Sequence, residues 1–140
     1  MNKTVFLDAN VLIYYLDESS DRQGDVVEKL QFLIGESSEL YTSHHVIEEV
    51  LHIIFKLTGD KSLLRKAVRQ IETIPNIRLI EPPLNFDFAT KYADLFTSSK
   101  VGINDTLLIQ LMVEGKISSL FTYDKKMQRE ISSLEIEVIP

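Results

Sequence analysis

One alternation limits what this chain can fold into. Short apolar runs of strand length, at Thr4 to Leu7, Leu40 to Ser43, Ile77 to Ile80, Leu120 to Thr122 and Ile136 to Ile139, are separated by longer stretches of helical periodicity. Those stretches cover Val26 to Ile34, Val46 to Leu57, Leu63 to Ile74, Phe86 to Phe96 and Asp105 to Val113, with a short one near Lys125 to Ile131. Asp8 to Tyr15 reads as a transition from the first strand into a helix. Strands that take turns with helices are joined by right-handed crossovers, which predicts an α/β fold: a three-layer α/β/α sandwich with a mostly parallel central sheet. The 140 residues hold no repeat, no low-complexity tract and no long Gly/Ser/Pro linker, so one domain over 1–140 is expected.

Composition removes several chemistries. The chain has no Cys, which excludes disulfides, thiolate nucleophiles and Cys-ligated metal centres. Any metal must be held by oxygen or imidazole. No apolar stretch approaches the ~20 residues of a membrane span, and the first residues lack the pattern of a secretory signal, so a cytoplasmic protein is expected. The net charge of −6 is unevenly spread: residues 1–50 carry ten acids and three bases, whereas residues 56–70 carry five bases and one acid. An acidic cluster beside a basic segment can hold a divalent cation and still receive a phosphate chain.

The topology gives the acids a common address. In a parallel sheet, ligands collect beyond the carboxyl ends of the strands. Asp8 directly follows the first strand, and Asp124 follows the strand Leu120 to Thr122. Asp105 opens a helix after Asn104, a candidate N-cap, and the helix after Leu40 to Ser43 carries Glu48 and Glu49 on opposite flanks of its apolar arc. Periodicity does not choose between those two glutamates. Asp8 and Asp124 also suit the N-cap positions of the helices that follow them. His44 and His45 lack metal-ligand spacing and read as residues of a strand-to-helix loop, while Tyr14, Tyr15 and Tyr123 read as packing residues. Carboxylates gathered without cations repel one another, so a shared pocket calls for a divalent ion, and an all-oxygen donor set suits Mg²⁺ or Mn²⁺. The chemistry such a pocket supports is in-line hydrolysis of a phosphodiester.

The stretches "FLDANVLIYYLD", "YTSHHVIEEVLHII", "GINDTLLIQLM" and "LFTYDKKM" follow one another in an order and spacing that resembles the PIN-domain nucleases, in particular the VapC-like toxins of prokaryotic toxin–antitoxin pairs. The resemblance spans almost the whole chain. It implies an α/β/α sandwich, an acidic pocket binding Mg²⁺ or Mn²⁺, RNA as substrate, a cognate antitoxin and a homodimer. Carried over position by position, it implies that Asp8, Glu49, Asp105 and Asp124 hold the metal and catalyse cleavage, with Asn10 and Thr122 orienting carboxylates. Glu49 depends on taking Ser43 as the family's strand-end Ser; alignment on Thr42 selects Glu48. Thr106 stands where the family usually has Ala. In this light Lys61, Arg65, Lys66 and Arg69 form a basic ridge that could guide an RNA backbone or meet an acidic partner.

Two other functions fit parts of the pattern. A haloacid-dehalogenase-like phosphatase also places an Asp after its first strand, but the second Asp of that motif is replaced here by Asn10. A catalytically inactive PIN-like module that binds RNA or protein would keep the fold without turnover.

Overall fold

The structure is a computed structural model that describes residues 2–139; Met1 and Pro140, the ends of the expected 1–140 domain, lie outside the described residues. In chain order the elements are β1 (Thr4–Leu7), α1 (Ala9–Leu16), α2 (Gln23–Gly35), β2 (Glu39–Thr42), α3 (His44–Thr58), α4 (Ser62–Glu72) and β3 (Ile77–Leu79). They continue as α5 (Phe86–Ser98), α6 (Ile103–Gly115), β4 (Ser119–Phe121), α7 (Lys125–Ser132) and β5 (Glu137–Ile139). The strands form one sheet in the order β3-β2-β1-β4-β5, every pair parallel. Helices α1 to α4 pack on one another, and α5 packs on α6, which gives the three-layer α/β/α sandwich expected.

Burial explains why these short runs become strands. Val5, Phe6 and Leu7 of β1 and Leu120 and Phe121 of β4 are completely inaccessible to solvent. A central parallel strand is covered on both faces, so it reads as a continuous apolar run instead of an alternating one. The edge strands β3 and β5 are only partly covered. Side-chain caps set the helix starts: Ser43 Oγ accepts from the Val46 N–H at 3.2 Å and Asn85 Oδ1 from the Phe88 N–H at 3.1 Å. Helix α3 ends on Gly59 at φ 67°, a left-handed position that glycine takes without steric cost, and the chain turns there into α4.

Several boundaries differ from expectation. Ser43 leaves β2 to act as the cap of α3, and His44 and His45 are the first residues of that helix, not loop residues. Helix α6 starts at Ile103 with Gly102 at its N-cap, so Asn104 lies inside the first turn and does not cap it. Helix α4 stops at Glu72, although Ile74 beyond it still points into the core.

This topology has one switch point that matters. From β1 the chain builds β2 and β3 to one side, and it later returns to lay β4 against the other side of β1. The adjacent carboxyl ends of β1 and β4 therefore open onto one crevice.

Candidate active site

Asp8 follows β1 and caps α1, its Oδ1 accepting the Ala9 N–H at 2.8 Å. Its Oδ2 accepts the Thr122 hydroxyl at 2.7 Å and the Asn10 amide at 3.4 Å. Asn10 also donates to Thr122 Oγ1 at 3.0 Å, and its Oδ1 accepts the Tyr123 N–H at 3.0 Å. Thr122 Oγ1 in turn accepts the Asp124 N–H at 3.1 Å, and Gln128 Nε2 donates to the Thr122 carbonyl at 2.8 Å. Through these bonds the ends of β1 and β4 are sewn together, and Asp124 is held beside Asp8 as the cap of α7.

The other acids interact with Asp8 through their charge. The Asp8 carboxyl is raised above the usual carboxylate range, first by burial, against the pull of its Thr122 and Ala9 hydrogen bonds, and further by the charge of Asp124. Glu49 is raised by burial and then by Asp8, with His45 opposing. Asp105, in the first turn of α6, is pushed up to about 6 by burial and then by Asp8, Asp124 and Glu49, with Lys126 opposing. Asp105 thus stands in the field of all three other acids. Glu48 turns away, lining a separate groove with His44, His52 and Lys61. Thr106 is buried and spends its hydroxyl on the Gly102 carbonyl at 2.9 Å, a bond within its own helix.

Asp8, Asp124 and Glu49 lie near enough to act on Asp105 through their charge, but the four acids are spaced apart. Among the described residues, no group of three or more His, Cys, Asp or Glu side chains is gathered tightly enough to hold one ion by itself. The basic ridge stands elsewhere. Arg65, Lys66 and Arg69 line a shallow groove of about 410 Å³ on α4, whereas Lys61 lies 5.7 Å from the Phe55 ring beside Glu48. A larger apolar cleft of about 620 Å³ runs between α1, α3 and α4, lined by Ile13, Leu16, Ile53, Ile54 and Leu57 among others; none of the four acids reaches it.

One set of neighbours was not visible in the sequence. Tyr123 donates its hydroxyl to Asp25 of α2, Tyr14 meets its ring edge-on with centroids 5.5 Å apart, and the Arg22 guanidinium covers both rings. The residues involved are up to 109 positions apart, and no local pattern connects them.

A family model described as "PIN domain" matches residues 5–132. No curated protein matches the chain. Solved structures similar in fold include VapBC2 from Rickettsia felis bound to a DNA fragment from its promoter, with 16% identity over 97% of each chain and a TM-score of 0.71. Mycobacterium tuberculosis VapC20, described as a sarcin-ricin loop cleaving toxin, has 15% identity over 89% of this chain and 93% of its own, with a TM-score of 0.66. VapBC-1 from nontypeable Haemophilus influenzae has 16% identity over 97% of this chain and 96% of its own, also with a TM-score of 0.66. At these identities the likeness is one of fold.

Proposed function

This chain belongs to the PIN-domain family, and from that premise we propose that it is a divalent-metal-dependent endoribonuclease, the toxin of a toxin–antitoxin pair. One arrangement carries the reading: Thr122 and Asn10 tie the Asp8 carboxylate, at the end of β1, to the segment whose Asp124 caps α7, and Asp105 lies near enough to feel both charges and that of Glu49. Carboxylates held so near one another repel, and a bound cation would relieve that repulsion. Lys126 and His45 offset it only in part.

The donor set fits Mg²⁺ or Mn²⁺. Such ions are commonly held by one or two carboxylates with water completing the shell, which suits acids too widely spaced to close on one ion together. Asp8, Glu49, Asp105 and Asp124 would hold the ion, directly or through water. When bound, it supplies activation of a water and charge stabilisation at the scissile phosphate. Asn10 and Thr122 hold the Asp8 carboxylate in one orientation. Arg65, Lys66 and Arg69 offer a sequence-independent grip on an RNA backbone.

Two of the similar folds were solved as VapBC assemblies, which supports a cognate antitoxin as partner here. The apolar cleft between α1, α3 and α4 is the surface we assign to it. Leu84 and Phe86, almost wholly exposed, support a homodimer that covers them. No described helix is long and apolar enough to cross a membrane.

The test is incubation of purified protein with RNA in Mg²⁺ or Mn²⁺, with a chelator control. Cleavage that needs the ion and is lost in Asp8→Asn supports the nuclease. RNA binding without cleavage in either condition would favour the inactive module, and release of phosphate from small phosphomonoesters would favour the phosphatase.

A further inference from the structure

Tyr123 lies between Thr122, which binds Asp8, and Asp124. Its backbone N–H is fixed by Asn10 Oδ1 at 3.0 Å, while its side chain reaches the other way, to α2. There the hydroxyl donates to the Asp25 carboxylate, and Asp25 is also bridged to Lys29 at 3.0 Å on its own helix. The Arg22 guanidinium sits 4.7 Å from the centre of the Tyr123 ring and 5.6 Å from that of Tyr14, and Lys29 Nζ lies 5.5 Å from the Tyr123 ring. The ring is therefore held at its edge by Tyr14 and attracted by two cations. Backbone and side chain of one residue are anchored on two different elements, α1 and α2.

We propose that Tyr123 is a positioning residue: its hydroxyl, gripped by Asp25, ties the segment Thr122 to Asp124 to helix α2 and so sets Asp124 against Asp8. The geometry requires this coupling. Segment 122–124 joins β4 to α7 and, among the described residues, has no ladder hydrogen bond beyond the Thr122 N–H to the Ile139 carbonyl, so side chains do much to fix it. Asn10 and Gln128 fix its strand end. Tyr123 carries a side-chain hydrogen bond from it to α2. Because an acid that drifts from its neighbours binds a shared ion less tightly, the grip on α2 acts on metal affinity and not on contact with RNA. The proposal rests on the metal-site reading above, and its test separates the two.

The experiment compares wild type with Tyr123→Phe, Asp25→Ala, the double variant of these two, and Asp25→Asn. Three quantities are read: amide hydrogen exchange of residues 122–126, Mn²⁺ affinity by calorimetry, and kcat and KM for RNA cleavage. Phe keeps the ring under Arg22 and removes only the hydroxyl. We expect Tyr123→Phe and Asp25→Ala to speed exchange in the segment, to weaken Mn²⁺ by roughly tenfold each without adding in the double variant, and to leave KM for RNA and the melting temperature near wild type. Asn at position 25 still accepts the hydroxyl, so Asp25→Asn should recover most of the loss. Unchanged exchange and Mn²⁺ affinity in Tyr123→Phe would overturn the proposal, as would a raised KM with intact Mn²⁺ affinity, which would make Tyr123 an RNA contact. A wild type that neither binds Mn²⁺ nor cleaves RNA would sink the nuclease reading, and the exchange data would still decide whether the Asp25 grip orders the segment.

Discussion

The Thr122 hydroxyl donates to Oδ2 of Asp8 across 2.7 Å, joining the ends of two adjacent strands whose residues are 114 positions apart. This bond and the Asn10 amide leave the Asp8 carboxylate little rotational freedom, in a place where burial already disfavours its charge. The protein's own hydrogen bonds fix that carboxylate.

Thr122→Val, which keeps shape and removes the hydroxyl, takes a donor from Asp8 and an acceptor from the Asp124 N–H. It should destabilise the protein by about 1–3 kcal/mol and lower cleavage roughly tenfold or more. Chemical denaturation and a cleavage assay check both. Full activity in the valine variant would mean that Asp8 is oriented by something else.

The pH dependence of stability follows from Asp105. Its carboxyl holds a proton more tightly when folded, at about 6, than at its ordinary value of 3.8. Between those values the folded state carries the extra proton, so this group's contribution to stability is complete below pH ~4 and is lost as pH rises through ~6. Asp8 and Glu49, also raised, act with the same sign. The melting temperature of metal-free wild type should therefore fall relative to Asp105→Asn across that window, at ~3 °C per kcal/mol for a chain of this size. Mn²⁺ should restore it above pH 6. A difference between the two proteins that runs the other way would contradict the origin given for the shift.

The two neighbouring glutamates face different surroundings. Glu49 feels Asp8 and acts on Asp105, while Glu48 lines a groove with Lys61. Glu49→Gln should lower metal-dependent cleavage by tenfold or more, on the order seen when a group that holds a metal is altered. Glu48→Gln should stay within about twofold, as an exposed substitution away from the site. The reverse ranking would place the helix carboxylate at 48.

The basic groove on α4 makes a salt-sensitive prediction. Removing both Arg65 and Arg69 should raise KM for RNA with kcat unchanged and flatten the dependence of binding on salt by about two phosphate contacts. Binding measured across a salt series reads the slope. An unaltered slope would return these side chains to an ordinary solvated face.

The sequence made the alternation of strands and helices legible because central parallel strands such as Val5 to Leu7 are apolar without interruption, and their flanking helices keep a different period. Boundaries were less legible where one residue type suits two roles. Ser43 could end a strand or cap a helix, and the helix took it; Asn104 could cap α6, but Gly102 holds that position. Glu48 and Glu49 flank the same apolar arc, so only the packing of α3 against α1 separates them. Leu57 belongs to that arc and is still 77% exposed, because the arc is wider than the neighbours that cover it. The Tyr123 to Asp25 contact depends wholly on tertiary placement across 98 residues, and nothing local to either announces it.

In the proposed nuclease Asp8, Glu49, Asp105 and Asp124 form one site for a divalent ion. Calorimetric titration of metal-free protein with Mn²⁺ at pH 7 tests it most directly, with Asp8→Asn and Asp105→Asn beside wild type. Saturable binding by wild type is expected, weakened tenfold or more in each variant. No saturable binding by wild type, or equal affinity in all three proteins, would contradict it.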